Sequence, residues 1–195
     1  MDERVIYFVT NNDLKERELQ KLWTSTKYQL KIYKEKISEI QNPNIEVIAT
    51  EKAKEAYKLL FRPVLVEHSG LLLTEYGNLP GGLTQIVWDS LTGSANAEKF
   101  SNLFAQNGET PAIAQSVFAY CDGYKIKTFI GKIEGKIVNP PRGNPDDYWD
   151  CVFQPNNDSQ GRTFAEMGSN VKNISSMRAQ AIKDFMNYLD STSIC

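Results

Sequence analysis

The sequence predicts an α/β fold, because strand-like and helix-like segments alternate along its first third. Residues 5–10 form a β-branched and aromatic run typical of a buried strand, and residues 28–33 alternate like a second strand. Residues 46–60 carry alanines at helical spacing, and residues 64–66 begin a third strand. This succession of strand, helix, strand, helix and strand favours an α/β architecture.

Local signals also predict the remaining elements. Asn11, Asn12 and Asp13 form a capping turn before leucines spaced among charges, which predicts a helix between the first two strands. Asp122-Gly123 is typical of a hairpin turn between two strands. The predicted later segments are a loop at 77–82, a helix at 95–106, hairpin strands at 114–121 and 125–133 with an extension over 131–138, a loop at 139–147, a strand at 151–153 and a helix at 175–189.

Length and composition indicate one globular domain over residues 1–195. The net charge of −2 argues against a protein held on nucleic acid by bulk charge, although it permits a small phosphate ligand. Cys121, Cys151 and Cys195 form no CxxC pattern, so reduced thiols in a cytoplasmic protein are the simplest interpretation. The first residues resemble neither a signal peptide nor a membrane span.

The first segment that carries chemistry reads FVTNNDLKERE, from Phe8 to Glu18. A strand that ends in Thr10 and Asn12 before a helix presents N–H groups and small polar side chains to an anion. Lys15, one turn into that helix, can reach the same spot. Asparagine also caps helices without binding a ligand, so a structural role is the stronger interpretation of this segment alone.

Two further segments place ionisable residues near predicted strands. Glu39, before Pro43, is either a metal ligand or a solvated surface charge. In the run VLVEHSGLLL, we expect Glu67, His68 and Ser69 to interrupt two buried strands, where an unpaired charge is costly. His68 is the only histidine of the chain, and a hydrogen-bonded structural role competes with a role as a ligand.

The last two segments combine aromatic, acidic and basic residues. YWDCVFQP contains Trp149 and Asp150 and is followed by TFAEM. VKNISSMR brings Lys172, Ser176 and Arg178 to a predicted helix start. Cations at a helix N-terminus favour contact with a phosphate or a purine edge, and a capped surface helix is the alternative.

The order of these segments resembles the inosine triphosphate pyrophosphatase family, whose members convert inosine, deoxyinosine and xanthosine triphosphates to the monophosphate and pyrophosphate. The resemblance covers residues 5–189, and TFAEM followed by KN, with Glu166 and Lys172, is its most specific block. The matching pieces are FVTNN with Lys15, Glu39 to Gln41, Lys52 in EKAKEA, VLVE followed by SGL, Leu79-Pro80-Gly81, WD with FQP, TFAEM, and KN followed by SxR.

This resemblance implies an elongated α/β fold of the anticodon-binding and Maf-like architecture, with two lobes, a long mixed sheet and flanking helices. It implies a nucleotide in the central cleft, a homodimer, and Mg²⁺ held by Glu39. The residues that it assigns to the substrate are Thr10, Asn12, Lys15 and Lys52 at the triphosphate, Ser69 beside the catalytic position, and Trp149, Asp150, Lys172, Ser176 and Arg178 at the base.

The sequence departs from the family pattern at three places. The family's Glu-Asp-(Ser/Thr)-Gly becomes Glu67-His68-Ser69-Gly70, so the catalytic position carries an imidazole, a poor ligand for Mg²⁺. Losing a positioned base lowers a rate by about 10²–10⁴-fold. Ser-His-Arg becomes Ser176-Met177-Arg178, in which Met177 is either a core or a pocket residue. Phe-Gly-Trp-Asp-Pro becomes Asp147-Tyr148-Trp149-Asp150-Cys151, which leaves open whether Tyr148 replaces the stacking ring.

Three functions are compatible with this pattern. The first is a non-hydrolysing sensor of dITP or ITP, similar to the nucleotide sensors of bacterial anti-phage systems such as Kongming, whose effector partner is a sirtuin-like NADase. The second is an active magnesium-dependent pyrophosphatase in which His68 or Glu67 activates the water. The third is a scaffold without a ligand, which we expect least, because four cations in one cleft would repel one another without a bound anion. These cations are Lys15, Lys52, Lys172 and Arg178.

Overall fold

A computed structural model describes residues 4–91 and 95–191 and confirms the α/β class. Its first half contains the predicted strands and helices in the predicted order. Their bounds are β1 Arg4–Val9, α1 Asp13–Leu22, β2 Tyr28–Tyr33, α2 Ile45–Leu60 and β3 Val64–Leu73. Asn12 and Asn44 cap α1 and α2, since each side chain accepts hydrogen bonds from backbone N–H groups of the first turn.

The second half adds four strands and four helices to the described part of the chain. Their bounds are β4 Leu79–Gly81, α3 Thr84–Ser90, α4 Asn96–Phe104, β5 Glu109–Cys121, β6 Ile126–Val138, β7 Phe153–Pro155, α5 Phe164–Ser175 and α6 Met177–Ser191. The predicted hairpin is confirmed, and both of its strands are 13 residues long. The predicted extension of the second strand to Val138 is also confirmed.

The strands form one mixed sheet with the order β2-β1-β3-β5-β6-β7, and β4 pairs with β3. β1 is parallel to β2 and to β3, whereas all later pairings are antiparallel. β1 pairs with β3 only at Tyr7 and Phe8, opposite Val64 and Leu65. Because β1 ends at Val9 while β3 continues to Leu73, a crevice opens beyond the carboxyl end of β1, the usual place for a ligand in such sheets.

Apolar residues of β3 alternate between two layers of helices. Leu65 packs in one cluster with Phe185 of α6, and Val66 packs in another with Ala49 and Ala53 of α2. Since successive strand residues point to opposite faces, the following residues continue this alternation. Glu67 therefore faces α6, and His68 faces α2.

The prediction that polar residues interrupt two strands at 67–70 is wrong. Glu67, His68 and Ser69 lie within the single strand β3, which pairs continuously with β5 from Val64 to Leu73. This ladder pairs the polar segment along one edge of β3, and other side chains compensate the charge of Glu67, as described below. A buried strand can therefore carry these residues without breaking.

Several elements differ from the sequence prediction. α3 was not predicted, and α5 begins at the TFAEM motif with a capping box of Thr163 and Glu166. The predicted strand 151–153 lies at Phe153–Pro155, because Cys151 ends a 3₁₀ segment. The last helix begins at Met177, so Lys172 lies near the end of α5 and not at a helix start.

Cys121 and Cys151 are buried free thiols, and Cys195 lies outside the described residues. None of the helices within 4–91 and 95–191 combines the length and the apolar character needed to cross a membrane.

Candidate functional site

A charged cleft lies beyond the carboxyl end of β1. Every residue predicted for the site lines this cleft except Glu67 and Ser176. Ser176 is buried, and its hydroxyl accepts a hydrogen bond from the Ala179 N–H over 3.3 Å, as a helix cap does. The cleft-lining residues are Thr10, Asn11, Asn12, Leu14, Lys15, Glu18, Glu39, Lys52, His68, Ser69, Gln85, Asp147, Tyr148, Trp149, Asp150, Lys172, Met177 and Arg178.

The start of α1 forms one wall of the cleft. Asn12 Oδ1 accepts from the N–H groups of Leu14 and Lys15 over 2.9 and 3.1 Å. Thr10 Oγ1 accepts from the Asn12 N–H over 3.1 Å. Both side chains therefore stabilise the turn, as the structural interpretation of this segment expects. Contact of Thr10, Asn12 or Ser69 with a triphosphate stays a prediction.

Glu67 lies beneath the cleft with its side chain fully buried. Lys15 Nζ lies 2.6 Å from Glu67 Oε2, and Arg178 Nη2 lies 3.1 Å from Glu67 Oε1. The Ser116 hydroxyl, on the neighbouring strand β5, donates to Glu67 Oε1 over 2.8 Å. Both carboxylate oxygens are thus engaged by this chain's own groups, so Glu67 is poorly placed to activate a water.

Glu18 continues the same set of ion pairs across the cleft. It pairs with Arg178, and its Oε1 lies 3.1 Å from Lys172 Nζ. Lys172 also pairs with Asp150. Charges of opposite sign therefore alternate along one connected set, which we call the buried ion network. Its members are Lys15, Glu67, Arg178, Glu18, Lys172 and Asp150.

Burial and neighbouring charges shift the pKa values of the carboxylates in this network in opposite directions. Burial alone would raise the pKa of Glu67, but Lys15 and the Ser116 hydroxyl lower that pKa below its usual value. Burial raises the pKa of Asp150 despite its pairing with Lys172. Burial lowers the pKa of Arg178 to about 10, so the guanidinium remains charged at neutral pH.

A second group of charges, the edge triad, consists of Glu39, Lys52 and His68. Glu39 lies in the loop after β2 with a third of its side chain exposed, and it pairs with Lys52 of α2. His68 Nδ1 lies 3.5 Å from Glu39 Oε2. Burial would raise the pKa of Glu39, but the charge of Lys52 lowers it below its usual value. Burial, followed by the charge of Lys15, lowers the pKa of Lys52.

The hydrogen bonds of His68 determine which of its nitrogens can accept a proton. Nε2 lies 2.9 Å from the Gly82 carbonyl oxygen, which can only accept, so Nε2 carries the hydrogen. Burial, reinforced by the charge of Lys15, lowers the pKa of His68, which favours the neutral ring. The lone pair of Nδ1 therefore faces Glu39. The Gly82 N–H also donates to Pro43 O over 2.7 Å, which ties His68 to the Glu39 loop.

The expectation that the four cations lack anions unless a ligand is bound is wrong. Lys15 pairs with Glu67, Arg178 with Glu67 and Glu18, Lys172 with Glu18 and Asp150, and Lys52 with Glu39. Each cation thus has a carboxylate of the same chain beside it. Mutual repulsion of the cations therefore no longer argues against a scaffold without a ligand.

The aromatic residues of the cleft divide between core and surface. Trp149 is only 8% exposed, and its ring centroid lies 6.3 and 6.4 Å from those of Phe153 and Phe164. It is a core residue that borders the cleft. Met177 is likewise buried in this core while lining the cleft, so both of its expected roles are compatible with its position. Tyr148 is instead 42% exposed.

Sequence reasoning missed three residues that shape the site. Glu18 follows Lys15 by three positions, a spacing that places both on one helix face and could have identified it. Ser116 and Gly82 have no local signal. They reach Glu67 and His68 only through the pairing of β5 with β3 and the return of the chain at β4.

A mixed sheet whose parallel strands end at a cleft lined by lysines, arginine and carboxylates defines an α/β protein with a site for a polar ligand. The Ham1 family profile matches residues 6–188. The chain is 36% identical over 186 residues to the inosine triphosphate pyrophosphatase of Yarrowia lipolytica, covering 94% of this chain and 95% of that protein. It is 32% identical over 183 residues to the dITP/XTP pyrophosphatase of Saccharolobus solfataricus, covering 94% and 92%. The chain therefore belongs to the Ham1 family of inosine triphosphate pyrophosphatases, as its motifs predicted.

Solved structures have the same fold. The HAM1 protein of Coxiella burnetii matches with a TM-score of 0.82 at 23% identity, over 97% of this chain and 100% of that chain. The Ham1 protein of Staphylococcus aureus matches with a TM-score of 0.78 at 21% identity, over 96% and 98%. The predicted long mixed sheet with flanking helices is confirmed.

Proposed function

We propose that the cleft binds an inosine-type purine nucleoside triphosphate, dITP or ITP. The observation that carries this proposal is the grouping of Lys15, Lys52, Lys172 and Arg178 along one cleft at the end of β1. Relatives over nearly the whole chain are named for pyrophosphatase action on inosine, deoxyinosine or xanthosine triphosphate. Because each cation is already paired, the triphosphate binds by exchanging partners with resident carboxylates. Lys52, whose partner Glu39 is partly exposed, exchanges most readily.

We further propose that hydrolysis is weak or absent. The buried Glu67 is held by Lys15, Arg178 and Ser116, so it cannot serve as a free base. His68 occupies the next position of β3, where its imidazole is anchored to Gly82. A protein with these two residues would bind its nucleotide, but proton abstraction from the attacking water would be slowed by about 10²–10⁴-fold.

Magnesium fits the cleft only if oxygens of the triphosphate also coordinate it. Within residues 4–91 and 95–191, no three His, Cys, Asp or Glu side chains are grouped so as to hold a metal. Mg²⁺ is usually held by one or two carboxylates together with phosphate oxygens. Glu39 provides one such carboxylate, whereas the His68 nitrogen is a poor ligand for this ion. When bound, Mg²⁺ would neutralise charge on the phosphates.

An active pyrophosphatase is the second candidate, and one observation favours it. His68 Nδ1 carries a lone pair in the cleft beside Glu39, and the lowered pKa of the ring keeps that nitrogen unprotonated at neutral pH. A neutral imidazole of this kind can accept a proton from a water. The names of the relatives point in the same direction.

The sensor hypothesis adds an effector protein that responds to the bound nucleotide. A cytoplasmic receptor that keeps dITP would signal through an effector, and a sirtuin-like NADase is the partner suggested by the resemblance to anti-phage sensors. A homodimer is the assembly that the resemblance suggests. NAD⁺ loss that requires this chain, dITP and the NADase together would support the sensor. NAD⁺ loss that is independent of dITP would contradict it.

One pair of measurements tests these functions. Calorimetric titration with dITP, ITP and dATP is combined with pyrophosphate detection on the same sample. Binding of dITP without pyrophosphate release supports the receptor, and rapid release supports the enzyme. Absence of binding to any of the three nucleotides overturns both.

Two lysines of α2 provide a matched control. Lys52→Ala is expected to weaken dITP binding by about 10-fold or more, since a charge-assisted contact is lost. Lys54 is exposed, pairs with Glu51 and does not line the cleft. Lys54→Ala should leave dITP binding unchanged, and equal effects of the two substitutions would contradict the placement of the triphosphate.

A further inference from the structure

Two acceptor atoms face each other within the edge triad. His68 Nε2–H donates to the Gly82 carbonyl oxygen over 2.9 Å, so Nδ1 carries a lone pair. Glu39 Oε2 lies 3.5 Å from this nitrogen, while Oε1 of the same carboxylate pairs with Lys52. A neutral imidazole nitrogen and a carboxylate oxygen have no hydrogen to donate to each other. A cation between the two atoms would therefore satisfy both.

The surroundings of His68 are those of a histidine that binds a metal ion. Such histidines almost always donate the second ring N–H to a carboxylate or a backbone carbonyl, which fixes the tautomer and the orientation of the ring. The Gly82 carbonyl has this role toward His68, and the Gly82 N–H is itself anchored to Pro43 O over 2.7 Å. The His68 side chain is only 8% exposed, and it lines the cleft. The ring is thus held in place with Nδ1 toward Glu39.

The separation of the two atoms distinguishes between classes of metal ion. Mg²⁺ requires nearly octahedral geometry with ligands at about 2.0–2.1 Å, which places neighbouring ligand atoms about 2.9 Å apart. Zn²⁺ binds imidazole nitrogen and carboxylate oxygen at about 2.0–2.2 Å in tetrahedral geometry, which places them about 3.4 Å apart. The 3.5 Å between His68 Nδ1 and Glu39 Oε2 fits the tetrahedral geometry. The donor set agrees, because imidazole suits Zn²⁺ whereas Mg²⁺ prefers oxygen ligands.

The charges around this pair favour a metal ion together with a triphosphate. Lys52 pairs with Glu39, and Lys15 Nζ is held 2.6 Å from Glu67 Oε2. Among the residues that the structure describes, no third His, Cys, Asp or Glu completes a metal group, so the protein supplies two ligands. A triphosphate that takes Lys52 would free Glu39 and would add both negative charge and oxygen ligands. Nucleotide and metal ion should therefore strengthen each other's binding.

We propose that His68 and Glu39 form half of a site for Zn²⁺ or a divalent ion of similar preference, which phosphate oxygens of the bound nucleotide complete. This inference rests on the proposed nucleotide binding and deepens it by naming the ion that accompanies the triphosphate. The chain departs here from the Mg²⁺ that the family resemblance implies, because an imidazole stands where the family has a carboxylate. Histidine at position 68 thus changes the metal preference of the cleft.

The experiment uses Co²⁺ as a probe, because Co²⁺ replaces Zn²⁺ in such sites and absorbs visible light strongly in tetrahedral but weakly in octahedral coordination. Co²⁺ is added to the protein together with α,β-methylene-dITP, in which a methylene group replaces the oxygen that a pyrophosphatase would release. Wild type should develop the strong absorption when the analogue is present. About a tenfold excess of Mg²⁺ should not remove this absorption, since nitrogen ligands favour Co²⁺.

Substitutions of the two ligands test the assignment separately. His68→Gln and Glu39→Gln should each lose the strong absorption and weaken Co²⁺ binding by about 10–100-fold or more, since loss of an outer-shell partner alone can cost that much. His68→Asp should give the weak absorption and should let Mg²⁺ displace Co²⁺, because all its ligands are oxygens. This reversal cannot result from misfolding, and thermal unfolding checks the other variants.

Glu35 provides a matched control for Glu39. It lies in the same loop after β2, is exposed and does not line the cleft. Glu35→Gln should bind Co²⁺ and the analogue as wild type does. A loss of absorption equal to that of Glu39→Gln would contradict the assignment of the metal to the triad.

The outcomes separate this inference from the function on which it rests. If wild type binds the analogue while its Co²⁺ absorption stays weak, the metal assignment is overturned and the proposed function stands. The same conclusion follows if His68→Gln keeps the strong absorption. If wild type binds the analogue neither with Co²⁺ nor with Mg²⁺, the proposed function itself fails.

Discussion

The buried ion network and the edge triad border the same cleft, but they compensate their charges differently. In the network, three cations and three carboxylates pair in sequence, and Glu67 is completely buried. In the triad, Lys52 pairs with Glu39, whose side chain is a third exposed, while His68 Nδ1 keeps a lone pair. The network therefore has little freedom to change partners, whereas the triad can accept a new ligand or a proton.

This difference suggests that the network stabilises the fold and that the triad takes part in binding and chemistry. Ion pairs in which neither side chain is more than 20% exposed hold α1, β3, α5 and α6 together, because separating them would leave uncompensated charges in the interior. Partly exposed charges can exchange a carboxylate for a phosphate at little cost. We expect substitutions in the network to affect folding first and substitutions in the triad to affect chemistry first.

The largest expected effect is a gain of hydrolysis in His68→Asp. The substitution places a carboxylate beside Glu39 in the triad, which supplies a base and an oxygen ligand, so pyrophosphate release from dITP with Mg²⁺ should rise by about 10²–10⁴-fold. His68→Asn, which is similar in size and uncharged, is the control. Equal rates in the two variants would contradict the assignment of this position to catalysis.

The next effect is a loss of stability in Glu67→Gln. Removing this charge leaves Lys15 and Arg178 without their shared buried carboxylate, so the free energy of unfolding should fall by about 3–5 kcal/mol. Glu39→Gln in the triad should lower it by about 1 kcal/mol or less, because that carboxylate is partly exposed. Denaturant unfolding of both variants measures the contrast, which disappears if the two losses are equal.

A smaller effect concerns the pH dependence of stability. The folded protein lowers the pKa of His68, so the unfolded chain binds the proton more readily. The stability of wild type should therefore fall as pH drops below the ordinary pKa of about 6.5 and through the lowered pKa. Because His68 is the only histidine, His68→Gln should lack this decline in denaturant unfolding measured between pH 7.5 and pH 5. If the free energy of unfolding of both proteins changed equally with pH, this contribution of His68 would be ruled out.

The smallest expected change in stability comes from breaking an ion pair that is exposed to solvent. Lys54 and Glu51 of α2 form an ion pair with both side chains more than 40% exposed. Lys54→Ala should change the free energy of unfolding by no more than about 0.5 kcal/mol, since water solvates either charge alone. A loss comparable to that of Glu67→Gln would mean that burial does not distinguish the two regions.

Much of the fold was accessible from local patterns, and the exceptions have physical causes. Capping residues and apolar periodicity predicted α1, α2 and the hairpin. α5 was missed although Thr163 and Glu166 form a capping-box sequence. β3 was predicted as interrupted, because burial of Glu67 looks unfavourable until its partners are known. The motifs located most of the cleft, since residues at strand ends and helix starts remain recognisable without contacts.

The sequence by itself determined the family, the order of the main elements and the residues available to the cleft. Only the tertiary structure decided how those charges are paired. Glu18 and Arg178 are separated by 160 positions, and Glu67 and Arg178 by 111. The net charge of a segment does not specify such partners, because ion pairing depends on distances that arise when helices pack against opposite faces of the sheet.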